Sequence, residues 1–322
     1  MRIKEVHEKE IKKFVESNYS LNIDKIKYFP LGEDGASYII WIKGPSKTKK
    51  FVKVYNKGEV AYKSIQEIKA ILEFLYKSRE KYGLKHFPFP IMNKNGYIIS
   101  KFNGFPVVLY DYISGGNIKK FTKGDYIELG EVIANLHSLN KNNFNGIKRQ
   151  ELNLKWESKI IRIISELKRN NHKELSRLIL PNEDLLKKGI DFLRKEVVKV
   201  NKPKEEVIVH TDLHKGNLMK EGDFIYIIDW DGLELALPEK DLMWFSEGTK
   251  LNTYFKESYR KRLGKKFVLR EDILRFYLVK RIFSEIVFFS RVMFFRELSL
   301  KEKKERLGII KGGIDRLKKI LK

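Results

Sequence analysis

The 322-residue chain contains no cysteine, which excludes disulfides, thiolate metal sites and a cysteine nucleophile. No apolar run reaches the ~18–20 residues that a membrane span needs. Residues 282–295 come nearest, and Ser284, Glu285, Ser290 and Arg291 interrupt them. The first fourteen residues are charged throughout and lack an apolar h-region, so no secretory signal is expected. There is no RNP-type aromatic motif, zinc-finger spacing, Gly/Arg tract, internal repeat or long low-complexity linker. These absences lead to the expectation of a cytoplasmic globular protein with no membrane span and no nucleic-acid partner; a monomer or weak dimer is also expected.

Hydrophobic residues make up 42% of the chain and charged residues 34%, enough for one large or two modest cores. The formal net charge is +24, from 66 Lys and Arg against 42 Asp and Glu. Because the lysines are spread along the whole chain, the balance is that of solvated faces; an anionic-surface binder is the alternative. Residues 300–322 carry nine Lys or Arg against three Asp or Glu, with Leu307, Ile310, Ile314, Leu317 and Leu321 at helical spacing. Packing on a core with lysines in water is expected there. A membrane surface is the other reading, and Gly308, Gly312 and Gly313 weaken a free-standing helix.

Apolar spacing predicts an amphipathic helix over residues 4–17, then strands over 26–31, 38–43, 51–55, 97–102 and 106–113. Gly32 to Ser37 connect the first two strands, and a glycine-containing hairpin lets backbone N–H groups approach a phosphate with no Cβ in the way. Lys53 lies within the apolar run Phe51-Val52-Lys53-Val54-Tyr55, where a lysine must find an anion or snorkel out. A helix over about 60–77 follows, offering Glu67 and Glu73 and packing Ile68, Ile71, Leu72 and Leu75 on the sheet. Beyond 113 the pattern is mainly helical, with helices at 126–139, 156–167, 183–200, 273–295 and 300–322. His137 reads as a packed or capping histidine, and the aromatics of 273–295 read as core.

The chemistry concentrates in residues 207–245. Asp212 follows the β-run Val207-Ile208-Val209, Asn217 comes five residues later, and Asp229 ends a second β-run, Phe224 to Ile228. Two carboxylates and an amide at the ends of adjacent strands can converge on one point, as needed to hold Mg²⁺ on a nucleotide and orient an attacking hydroxyl. His214, four residues after His210, has no third ligand to make a zinc site.

His210-x-Asp212-x-x-x-x-Asn217 with Asp229 twelve residues on resembles the catalytic loop and metal-binding Asp of the protein-kinase-like phosphotransferases. Lacking His-Arg-Asp and carrying Asp229-Trp230-Asp231, it is similar to the aminoglycoside phosphotransferase and choline kinase branch. Pro238-Glu239-x-Asp241-Leu242 extends the similarity to spectinomycin-phosphotransferase-like members. The resemblance implies an α+β, bilobal protein-kinase-like fold. Its N-lobe (1–112) would hold an antiparallel five-stranded sheet plus helix. A hinge at about 110–115 would lead to a larger, mainly helical C-lobe (113–322) with small catalytic hairpins. It implies an Mg²⁺-dependent kinase moving the γ-phosphate of ATP or GTP to a small-molecule hydroxyl.

On the same basis Asp212 would receive the hydroxyl proton, His210 would brace the loop, and Asn217 and Asp229 would hold Mg²⁺. Lys53 would contact the α/β-phosphates and pair with Glu67. Gly35 and Ser37 would lie over the phosphates, and Asp111 to Ile113 would read the adenine edge. Asp231 and Glu239 are the candidates for the acceptor side, with Asp231 also open to a second metal or to the loop backbone, and Asp241 is read as structural. Thr211 stands where glycine is most common, and the loop at 32–37 lacks a dense glycine run. An aminoglycoside or aminocyclitol would want an acidic cleft, which Glu234, Glu239 and Glu247 offer, yet a +24 chain repels a polycation. A sugar, amino alcohol or similar metabolite is therefore an equal alternative. A spore-coat-like binding protein without turnover is the alternative of another class, against which the intact Lys53, Asp212, Asn217 and Asp229 argue.

Overall fold

The computed structural model describes residues 7–29, 35–45, 48–56, 63–152, 155–170, 172–264 and 267–322. The chain forms two compact units. One comprises Met1–Asn135, Leu139–Lys148 and His210–Glu234, the other Leu136–Ser138, Arg149–Val209 and Leu235–Lys322.

The first unit opens with α1 (Glu8–Tyr19), followed by β1 (Ile23–Phe29), β2 (Gly35–Ile42), β3 (Lys49–Tyr55), α2 (Ile65–Glu80), β4 (Pro90–Ile91), β5 (Ser100–Phe102) and β6 (Phe105–Asp111). These strands make an antiparallel sheet in the order β1-β2-β3-β6-β4, with β5 also on β6. The sheet thus has six strands where five are expected, because Pro90 and Ile91 extend the proline connector into a short pairing with Tyr110 and Leu109. The expected strand at 97–102 is shortened to three residues, since Asn93 Oδ1 accepts the N–H groups of Asn95 and Tyr97 and closes a turn.

Strand periodicity decides what each face does. Ala36, Tyr38 and Ile40, Val52 and Val54, and Val107 and Leu109 alternate onto one face, where they bury against Ile11, Val15 and Tyr19 of α1. Each fully buried aliphatic contributes about 1.5–3 kcal/mol. The residues between them, Gly35, Ser37, Ile39, Phe51, Lys53 and Tyr55, are left for the other face. α2 is fixed at its start by a capping box in which Ser64 and Glu67 satisfy each other's backbone N–H. Residues 60–62, expected in this helix, and 32–34 of the first loop lie outside the described residues.

The rest of the first unit supplies loops. β7 (Gly116–Asn117) pairs with β9 (Leu218–Glu221), and β9 makes a hairpin with β10 (Phe224–Ile227); α3 (Lys123–His137) follows β7 in the chain. Trp230 anchors this region among Phe74 and Phe87, at ring-centre distances of 5.2 and 4.2 Å, with its indole N–H on the Ile227 carbonyl at 2.8 Å.

The second unit contains α4 (Lys155–Arg169), α5 (Lys173–Ile179), α6 (Glu183–Val200), β8 (Val207–Val209) paired with β11 (Glu234–Ala236), α7 (Glu239–Leu242), α8 (Thr253–Leu263), α9 (Glu271–Phe295) and α10 (Leu300–Ile320). α9 is its centre, burying Phe276, Tyr277, Val279, Ile282, Phe283 and Ile286. Gly189 of α6 permits close approach: a Cβ there would fall 2.7 Å from Phe283. The aromatics of α9 are not uniformly core, because Phe288 and Phe295 are exposed. No described helix is long and apolar enough to cross a membrane.

Candidate active site

Within the first unit a cavity of about 540 Å³ is lined by the free face of the sheet and by the loops around β9. Gly35, Ser37, Lys53, Asp111, Ile113, Asn217, Asp229 and Asp231 all border it, together with apolar Ile39, Phe51, Ile71, Tyr110, Met219 and Ile228. That volume falls in the ordinary range for a small-ligand site. The register explains the grouping: Ser37 faces Lys53 across β2 and β3, and Gly35 faces Tyr55. A Cβ at Gly35 would lie 2.0 Å from the Val54 carbonyl oxygen, so no larger residue fits that strand start.

The loop from His210 to Asn217 is locked from within. His210 is fully buried; its Nδ1 accepts the Asp212 N–H at 3.2 Å, which leaves Nε2–H to donate to the Ile228 carbonyl at 3.0 Å. The imidazole is therefore held as a neutral brace between two loops. Asn217 Nδ2 donates to the Asp212 backbone carbonyl at 2.9 Å and lies 3.3 Å from its Oδ2. That orientation leaves the Asn217 amide oxygen as the acceptor. His214, not assigned from sequence, belongs to the same constellation. Its Nδ1 accepts the Gly216 N–H at 2.9 Å, and its Nε2 stands 3.5 Å from Asp212 Oδ2. Thr211 adopts φ +78°, a left-handed conformation uncommon for non-glycine residues, which is why glycine suits this place. Asp229 is left-handed as well, at φ +63°. Gly232 meets this loop so closely that a Cβ would lie 2.1 Å from Thr211 Oγ1.

Lys53 does not pair with Glu67. Its Nζ is 3.1 Å from Asp231 Oδ2 and 4.7 Å from the Tyr55 ring centre. Burial by itself would lower the Lys53 ammonium, but the charge of Asp231, with Tyr110 and Asp229, outweighs it and holds the pKa above its ordinary value. Glu67 instead bonds Lys148 at 2.8 Å and caps its own helix through Ser64; at the third helical position its carboxylate is turned back toward the N-terminus. Asp111 carries an ion pair with Lys50 at 2.7 Å, so its side chain is already engaged.

Glu239 is corrected outright. It has 0% exposure, and both its oxygens are held by Arg270, at 2.8 Å from Nε and 2.8 Å from Nη2. A carboxylate so enclosed is a packing element of the second unit and cannot touch an acceptor. Asp241, expected to be structural, is equally buried and lies 3.2 Å from His137 Nε2, whose Nδ1 is 2.7 Å from the Tyr259 hydroxyl.

Glu67 also ties stability to acid pH. Its carboxyl is brought down to about 2, first by the Lys148 hydrogen bond and then by the Ser64 N–H. A depressed folded-state pKa gives stability that is full above the unfolded value, 4.5, and is lost as pH falls toward about 2. Glu67→Gln is expected to flatten that part of the stability curve in urea titrations. An unchanged slope over the window would refute the assignment.

A family of solved structures shares this fold. Spectinomycin phosphotransferase, crystallised with ADP and spectinomycin, superposes with a TM-score of 0.78 at 19% identity, covering 98% of each chain. A microcompartment-associated aminopropanol kinase gives 0.68 at 16% identity, covering 97% of each. Choline kinase from Streptococcus pneumoniae gives 0.60 at 14%, covering 96% of this chain and 98% of its own. No curated protein matches the chain by sequence. The model of the phosphotransferase enzyme family matches residues 25–270, and the chain belongs to that family.

Proposed function

We propose that this protein is a cytoplasmic small-molecule kinase that transfers the γ-phosphate of ATP or GTP to a hydroxyl group. The observation that carries the reading is one cavity bordered by Lys53, Asn217, Asp229 and Asp231 together. Asp212 and His210 are not among the residues that line it; Asp212, held beside the lining residue Asn217, orients the acceptor hydroxyl and takes its proton, while His210 holds the loop. Lys53 neutralises the inner phosphates once nucleotide competes with Asp231. Gly35 and Ser37 lie along the phosphates, and the backbone from Asp111 to Ile113 meets the base edge. The hinge at about 110–115 separates the nucleotide-binding strands of 1–112 from the catalytic and substrate-binding residues of 113–322, which include the loop carrying Asn217 and Asp229.

Asn217 and Asp229 would hold Mg²⁺. They are hard oxygen donors of the kind it prefers, few enough to leave places for phosphate and water, and Asn217 presents its oxygen because its Nδ2 is engaged. When bound, the ion would neutralise charge on the phosphates.

The neighbours' acceptors, from spectinomycin to aminopropanol and choline, define the class to screen. An amino alcohol or aminocyclitol fits the reading. The chain's charge gives no preference for a polycationic antibiotic, and Glu239 is removed from the acidic residues that could have bound one. The deciding experiment is Mg²⁺-dependent nucleoside-diphosphate release from ATP and GTP across a panel of spectinomycin, aminoglycosides, choline, aminopropanol and sugars, with Asp212→Asn as control. Nucleotide binding without acceptor-dependent release by any member would favour a binding protein of the same fold.

Lys53→Met is expected to weaken nucleotide binding roughly 10- to 150-fold, the loss of one charged hydrogen-bond partner of about 1.5–3 kcal/mol. Calorimetric titration with Mg·ATP checks it, and an unchanged Kd would remove Lys53 from the site.

A further inference from the structure

α10 runs back along α9. Ile310, Ile314 and Leu317 are buried, Gly313 lies against Ile282, and Arg275 Nη2 donates to the Ile320 carbonyl at 2.6 Å. Those contacts account for one face of the helix. On the flank of that face Lys304, Lys311 and Lys318 recur at seven-residue intervals, and all three are exposed, as is Lys301 nearby. A seven-residue step drifts by only ~20°, so the three stay in line over about 21 Å.

The head of this row has a different chemistry. Phe295, which ends α9, is 79% exposed, and Leu300, which begins α10, is 87% exposed. They flank the connector 296–299, in which Arg296 and Glu297 are exposed as well. Single exposed apolar side chains are ordinary, but two large ones at a helix corner, continued by a straight row of lysines, form an amphipathic edge. Such an edge has an apolar tip to enter an interface and cations to meet charge beside it. Nucleic acid would satisfy the lysines but not Leu300, an aliphatic side chain that cannot stack on a base. An anionic lipid surface satisfies both halves.

We propose that the α9–α10 corner and the lysine row of α10 dock this protein reversibly on an anionic bilayer surface, with Phe295 and Leu300 entering the interface. Glu305 and Asp315 lie among the lysines, so the electrostatic part is moderate and salt-sensitive. Docking of this kind does not depend on the catalytic reading.

Flotation of the full chain with vesicles tests it. Phosphatidylcholine vesicles would be compared with vesicles containing roughly one-third phosphatidylglycerol, at salt of about 0.05 and 0.5 M. Binding is expected only to the anionic vesicles and only at low salt. Phe295→Ser/Leu300→Ser is expected to weaken it at least about tenfold. Lys304→Glu/Lys311→Glu/Lys318→Glu is expected to weaken it by about a hundredfold or more, near fivefold for each lysine. Lys85→Glu/Lys94→Glu/Lys101→Glu, which moves the same charge elsewhere, is expected to change it little. Unaltered thermal transitions would show that the variants fold. Equal loss in the control triple, or no loss in the Phe295/Leu300 variant, would reduce the effect to net charge and overturn the proposal. So would absence of binding to the anionic vesicles; single-stranded RNA bound by the full chain and lost in the α10 triple would then assign the row to nucleic acid.

Discussion

Asp212→Asn is expected to lower the rate of phosphoryl transfer by about 10²–10⁴-fold, the contribution of a positioned general base, while nucleotide affinity stays nearly unchanged. The substitution keeps the shape of the side chain. The backbone bonds that hold the loop, Asp212 N–H to His210 and the Asp212 carbonyl to Asn217, do not involve the carboxylate. What is lost is a carboxylate that can receive a proton. Steady-state turnover, compared with calorimetric Kd for Mg·ATP, separates the two effects. Full turnover in Asp212→Asn would end the proposed mechanism; a parallel loss of nucleotide binding would mean that the residue shapes the cavity instead.

Arg270→Met is expected to destabilise the second unit by about 3–5 kcal/mol. Glu239 is fully enclosed, with Arg270 bonded to both its oxygens and to Glu205 as well. Truncating the cation leaves a carboxylate in the interior without its counter-charge, a larger cost than the pair was worth. For chains somewhat shorter than this one, each kcal/mol moves Tm by about 2–4 °C, so a fall on the order of 10 °C should be seen by calorimetry. The double variant Glu239→Met/Arg270→Met, which removes both charges, is expected to recover much of the loss. A single variant with wild-type Tm would show that the pair is not buried in solution.

The legible part of the chain is the part whose information is local. Alternation in β2, β3 and β6 assigns each side chain to a face, so the amino-acid pattern alone sets Lys53 on the face opposite Val52 and Val54. The spacing from His210 to Asp229 likewise lies within one short stretch. Glu67 is misread from sequence because its partner, Lys148, is 81 positions away and nothing near it announces the contact. Its place after Ser64 is visible as a capping pattern and outweighs a reach toward the sheet. Glu239 is misread because burial is a property of the packed unit: a glutamate beside Pro238 has the composition of a surface loop until Arg270 closes on it. α5 and α8 escape detection for lack of a strong apolar stripe, and Phe288 and Phe295 read as core because their apolar spacing continues that of the buried residues of α9.

Trp230 gives the site an optical readout. Its indole borders the cavity yet is almost wholly buried, and its ring centre lies 4.7 Å from that of His210. Trp41 and Trp244 are partly exposed and sit beside Lys25 and Arg281. Among the tryptophans whose side chains are described, Trp230 is therefore expected to emit at the shortest wavelength, sensitive to anything that fills the cavity. Occupancy of the unlabelled protein can then be followed by light alone, with Trp230→Phe as the blank.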